Sequence, residues 1–122
     1  NNMSIKVKTT GDFKNTEKYL LSHKKSMFTE EQIYEIAEHS LQLFENNTPK
    51  GSGKTANSWS YEIKIVKGEY VIDMHNSNIQ NGYNIAILVD EGHALQTGQW
   101  ISGKHYIDQT IKEIFKYIDK MK

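Results

Sequence analysis

The sequence predicts an α+β domain: a small antiparallel or mixed sheet of three to four strands, packed by a long helix and a C-terminal helix, with long loops between them. Three observations lead there. Trp59, Tyr61, Ile63 and Ile65 alternate with Ser60, Glu62 and Lys64, the period of two that a half-buried strand requires. Ile33, Ile36, Ala37, Leu41 and Phe44 recur at spacings of three and four, as do Ile107, Ile111, Ile114 and Ile118, so two helices each carry one apolar stripe. Between these periodic segments lie stretches of Gly, Asn, Ser and Thr without a packed face.

In chain order, residues 4 to 9 alternate apolar and polar and predict a short strand, followed by a turn at Gly11-Asp12. A short helix is expected from about Phe13 to Ser22. The next helix has a defined start: Thr29 is placed to cap, Gln32 completes a capping box three residues on, and Phe28 is placed to staple onto Ile33. Glu35, Glu38 and Gln42 occupy its water-facing side, and it should end near Asn46, before Thr48-Pro49. Residues 47 to 56 read as a flexible loop. A hairpin follows, its strands joined at Lys67-Gly68, with Tyr70, Ile72 and Met74 sharing one face of the second strand. The run Asn84 to Val89 is apolar on both faces and predicts a third, central strand covered on each side. Glu91 to Lys104, with Gly92, Gly98 and Gly103, reads as a long irregular excursion, and residues 106 to 120 as the last helix.

With 122 residues the chain has room for one domain, and a domain of that size buries roughly two thirds of the surface its unfolded chain exposes. We place Asn1 and Asn2, which precede Met3, outside the fold. The absence of cysteine excludes disulfides, thiolate metal sites and cysteine nucleophiles. No apolar run reaches the length of a membrane span, so a protein without a membrane partner is expected. Fifteen acidic and fifteen basic residues cancel, and every basic residue is Lys. The forked donor that Arg offers to guanine edges is missing, which argues against sequence-specific nucleic-acid reading. Lys6, Lys8, Lys14, Lys18, Lys24 and Lys25 give the N-terminal part a modest positive field, read as a solvated face.

Gly51-Ser52-Gly53-Lys54-Thr55 looks like a phosphate-binding loop, but the leading glycine of that motif is absent. A helix also leads in and a strand leads out, the reverse of the order the motif depends on. We therefore read it as a hinge. The five histidines lack metal-ligand spacing, so neither a metal nor a cofactor is expected. Asp90, Glu91 and His93 are close enough in sequence for an acid and base pair, yet nothing supplies a nucleophile or oxyanion pocket. A carboxylate there more often accepts from backbone N–H groups. Trp59 reads as core; Trp100, in a Gly-rich segment, is either a loop anchor or an exposed contact.

Two stretches carry a resemblance. Thr48-Pro49 through Thr55-Ala56-Asn57-Ser58-Trp59-Ser60-Tyr61-Glu62-Ile63, and Asn84-Ile85-Ala86-Ile87-Leu88-Val89-Asp90-Glu91-Gly92-His93, together resemble the tail-completion, or tail-to-head joining, proteins of tailed phages and prophages. The similarity covers nearly the whole chain from about residue 29. Lys50-Gly51-Ser52-Gly53 stands where that family more often has an acidic residue and a Thr-Gly pair, and Glu91 where it often has an aromatic one. The resemblance implies a non-enzymatic virion protein, made in the host bacterial cytoplasm. It would form a homo-oligomeric ring, a hexamer, at the head-proximal end of a tail. Its implied partners are the tail tube or terminator and the head connector or stopper. In such a ring the segments 47–58 and 91–105 would meet neighbouring subunits, with Lys54, Thr55, Leu95, Trp100, Ile101 and Tyr106 as the expected contact residues.

Overall fold

A computed structural model describes residues 3–10, 17–25, 28–51 and 53–121, with side chains left undescribed at the chain's N-terminal end and across the second strand. The elements are β1 (Met3–Thr10), β2 (Glu17–Lys25), α1 (Glu30–Asn47), a 3-10 turn (Ala56–Ser58), β3 (Trp59–Val66) and β4 (Glu69–Asn76). Two short strands, β5 (Ile79–Gln80) and β6 (Tyr83–Asn84), precede α2 (Ile85–Glu91). Then come β7 (Gly92–Ala94), β8 (Trp100–Ser102) and α3 (Tyr106–Lys120). The main sheet has the order β2-β1-β4-β3 and is mixed: β1 runs parallel to β4 and antiparallel to β2, while β3 and β4 form an antiparallel hairpin. The α+β expectation holds.

Both long helices lie on one face of this sheet. Ile5 and Val7 from β1, Ile72 and Met74 from β4, and Trp59 from β3 meet Ile33, Ile36, Ala37 and Phe44 of α1 and Ile107, Ile111, Ile114 and Ile118 of α3 in one buried cluster. Each fully buried isoleucine contributes on the order of 1.5–3 kcal/mol of transfer free energy, so the isoleucines of the two stripes contribute much of the cohesion of the helix layer. Asn47 links the helices at one end, its amide donating to Thr110 Oγ1 and Glu113 Oε1, both at 3.0 Å, and the His39 and Tyr117 rings stack at 3.9 Å. Tyr61 donates its hydroxyl to Glu38 at 2.5 Å, tying β3 to α1; that bond, more than burial, pushes the phenol up to about 12.

The capping box forms as expected: Gln32 N donates to Thr29 Oγ1 at 3.1 Å and Thr29 N donates to Gln32 Oε1 at 2.9 Å. Phe28 and Ile33 share the core. At the other end, Thr48 closes α1. Its hydroxyl donates to Phe44 O at 2.5 Å and accepts from Trp59 Nε1 at 2.8 Å, holding the Trp59 ring against Phe44 at 4.6 Å. Trp59→Phe keeps most of the ring but strands this buried hydroxyl's partner position. Urea unfolding should show a loss of about 1–2 kcal/mol with an unchanged m-value.

Three expectations are corrected. The segment 17–22, expected as the end of a helix, is part of strand β2, paired antiparallel with β1 with one register shift at Thr9–Thr10; the expected turn and helix start at 11–16 lie outside the described residues. Ten weakly periodic residues gain little as an isolated helix, whereas pairing along β1 gives each backbone group a partner. The run from Asn84, expected as a central strand, is α2: Asn84 caps it by accepting from Ile87 N at 3.4 Å, and Gly92 ends it with φ of 92°. The sheet's centre is instead the parallel pair β1 and β4. Finally, the segment 91–104 is ordered by the antiparallel pair β7 and β8.

On the sheet face away from the helices, lysines alternate with carboxylates. Lys6 meets Glu69 at 3.0 Å, and the buried Asp73 carboxylate is approached by Lys8 at 3.8 Å, Lys64 at 3.5 Å and His75 at 3.4 Å. The described lysines of the N-terminal strand are thus matched by acids of β4 rather than adding to one positive surface. No helix among the described residues is long and apolar enough to cross a membrane.

A candidate subunit-contact surface

Beyond the end of β4 a network of asparagines and threonine sets the position of everything that follows. Asn76 Oδ1 accepts from Asn78 N at 2.9 Å, Asn76 Nδ2 donates to Thr55 O at 2.8 Å, and Asn78 Nδ2 donates to Thr55 Oγ1 at 2.9 Å. Asn84 Nδ2 returns to Asn76 O at 3.3 Å. All three asparagines are buried, so each bond replaces water that a loop would otherwise need. From this base the β5–β6 hairpin projects, turning at Asn81-Gly82, where both residues have positive φ.

A second projection rises from the far end of α2. Asp90, buried, points its carboxylate at the start of α3, where Oδ1 accepts from Ile107 N at 2.9 Å; its carbonyl accepts from His105 N at 3.0 Å, and Val89 O accepts from Lys104 N at 2.8 Å. The β7–β8 hairpin leaves and re-enters at this point through Gly92 and Gly103. A Cβ on Gly92 would lie 2.7 Å from Ile101 O and 2.8 Å from the Trp100 ring, and one on Gly103 would collide with the backbone of Asp90 and Glu91. The glycines therefore let the hairpin close directly onto the end of α2. At its tip Leu95 N donates to Gln99 O at 2.8 Å.

These two hairpins carry large apolar side chains into solvent. Ile79 and Tyr83 stand on the first; Leu95, Trp100 and Ile101 on the second, with Trp100 60% exposed. Between them runs a groove of about 550 Å³ lined by Tyr83, Ile85, Leu88, His93 and Leu95, with Gln80 at its edge. His93 Nδ1 is buried in its wall without a hydrogen-bond partner. Of the expected acid and base candidates, Asp90 points Oδ1 at the start of α3, and His93 stands on β7.

Of the expected contact residues, Leu95, Trp100 and Ile101 lie together on this surface. Tyr106 does not. It is 5% exposed, its hydroxyl donates to Ala86 O at 2.7 Å, and burial raises its pKa, with the Asp90 charge adding to the effect. It is a core residue that seats α2 on α3, because the first turn of an amphipathic helix places its aromatic ring inward. Thr55 is half-buried and held in the asparagine network, and Lys54 is exposed beside it with its carbonyl accepting from Ser58 Oγ at 2.6 Å. Both belong to the base of the first hairpin rather than to its apolar tip. Ile79 and Tyr83 were not expected; their signal was present in the Asn81-Gly82 pair between two large apolar residues, a hairpin signature. Comparison with protein-family models, with curated proteins and with solved structures returns no match.

Proposed function

We propose that this chain is a non-catalytic structural subunit of a tailed-phage or prophage particle, one of several copies in a ring at the head-proximal end of the tail. There it would join the tail tube to the head connector. The observation that supports this reading most is the exposure of Leu95, Trp100 and Ile101, with Ile79 and Tyr83, on two hairpins flanking one groove. Large apolar side chains gathered at the surface mark protein contact sites, and tryptophan is enriched among residues that dominate such contacts. A projecting hairpin beside a groove suits a head-to-tail repeat, in which the projection of one subunit enters the recess of the next and the rotation closes into a ring. The β7–β8 hairpin falls within the segment 91–105 that the resemblance assigns to neighbouring subunits, whereas the β5–β6 hairpin lies outside both assigned segments.

The test is immunogold electron microscopy on particles induced from the source strain, with antibody raised against this chain. Label confined to the head-proximal tail end is expected; particles without label anywhere overturn the reading. In complementation, Trp100→Ser combined with Ile101→Ser should leave the purified chain folded while the yield of joined particles falls by at least tenfold, since loss of a central aromatic contact costs about 2 kcal/mol or more per interface.

A further inference from the structure

We infer that β3 is a second self-association site, at which two copies of the chain pair edge to edge about a two-fold axis through Ile63. This does not rest on the ring reading and uses a different surface. β3 is an edge strand: β4 flanks it on one side, and no strand flanks it on the other among the described residues. It is eight residues long, its register with β4 is unbroken, and it contains no proline. Such an edge is a template for pairing unless something blunts it.

The turn decides which backbone groups face outward. Lys67 and Gly68 both have positive φ, at 52° and 79°, so the hairpin has a two-residue primed turn and Val66 with Glu69 is a hydrogen-bonded pair. Pairs alternate from there, so Lys64 and Glu62 also bond inward to β4, while Ile65, Ile63 and Tyr61 present N–H and C=O to the open edge. An antiparallel copy must therefore set odd-numbered residues against odd-numbered ones. Centring on Ile63 places Tyr61 opposite Ile65 of the second copy and Glu62 opposite its Lys64, twice, at the closer non-hydrogen-bonded positions. Centring on Glu62 or on Lys64 instead sets like charges face to face, and centring on Tyr61 or Ile65 leaves no charge opposite a charge.

The side chains agree with this choice. Glu62 and Lys64 already approach at 3.1 Å within the strand, so the pair of strands would carry a square of alternating charge. Ile65 is 66% exposed beside Tyr34, at a notch whose wall includes Ile33 and Tyr70, where the Tyr61 ring of the second copy would sit.

Sedimentation velocity over a concentration series tests the inference. The wild-type chain should show a monomer–dimer equilibrium. Glu62→Lys alone and Lys64→Glu alone each turn both cross-strand pairs repulsive and should weaken the dimer at least about tenfold, with circular dichroism unchanged. An equimolar mixture of the two variants restores both pairs and should recover wild-type affinity as a heterodimer; centring on Glu62 or on Lys64 predicts instead single variants no weaker than wild type and a mixture tighter than it. Trp100→Ser should leave the dimer intact. A wild-type chain that stays monomeric, variants that dimerise as well as wild type, a mixture that fails to recover, or a dimer lost with Trp100→Ser would each overturn the inference.

Discussion

Replacing Gly103 by alanine is expected to destabilise the folded chain by about 3 kcal/mol, among the largest effects a single methyl group produces. The added Cβ would meet the carbonyl oxygen of Asp90 and the carbonyl carbon of Glu91, atoms of backbone rather than of flexible side chains. Neither can retreat. The Asp90 carbonyl accepts from His105 N and its carboxylate caps α3, so moving the end of α2 breaks the seat of the last helix. Gly98→Ala is the matched control: its φ of 89° strains an L-residue, but nothing lies within 4 Å of the new Cβ. Its cost should stay near 1 kcal/mol. Thermal unfolding separates them, at roughly 3–6 °C per kcal/mol for a domain of this size. Equal losses for both glycines would mean that the hairpin does not close against α2 as described.

How much of this could be read from the residues depends on the range of the forces involved. α1 was legible at both ends because its signals are local: a capping box within three residues, and a stripe whose period only a helix satisfies. The β3–β4 hairpin was legible for the same reason, a two-residue turn between alternating segments. β2 was not, since its partner β1 lies across an intervening segment and its own residues suit either state. α2 was misread because Ile-Ala-Ile-Leu-Val favours a strand by composition, and seven residues are too few to show a period; the caps at Asn84 and Gly92 decide it. The contact surface was half legible. Trp100 and Leu95 stand in a polar, glycine-rich segment, where a large apolar residue has few places to hide, but Tyr106 opens a periodic helix and is drawn inward with it.

Removing the Asp90 carboxylate should cost about 2–3 kcal/mol in Asp90→Ala and about 1 kcal/mol in Asp90→Asn. α3 begins without a side-chain cap of its own: His105, at the N-cap position, sits in the left-handed region with φ of 52° and makes no capping bond. Its first-turn N–H groups, without intrahelical partners, form the positive end of a fifteen-residue helix. Asp90, a residue of α2, meets this end from outside, with Oδ1 2.9 Å from Ile107 N and the side chain almost fully buried. Alanine deletes the acceptor and leaves a buried donor that water cannot reach, whereas asparagine keeps one acceptor oxygen for Ile107 N while losing the charge and exchanging the second oxygen for an NH2 group. Hydrogen exchange distinguishes this capping role from generic packing. In Asp90→Ala, amides in the first turn of α3 should lose protection before those of α1, whose own capping box is untouched. Uniform loss across both helices would mean that Asp90 acts through the core instead. Because the same residue anchors both the last helix and the root of the β7–β8 hairpin, the predicted order of exchange also bears on function: the contact hairpin should loosen together with the start of α3, while the β3 edge stays protected on its β4 side.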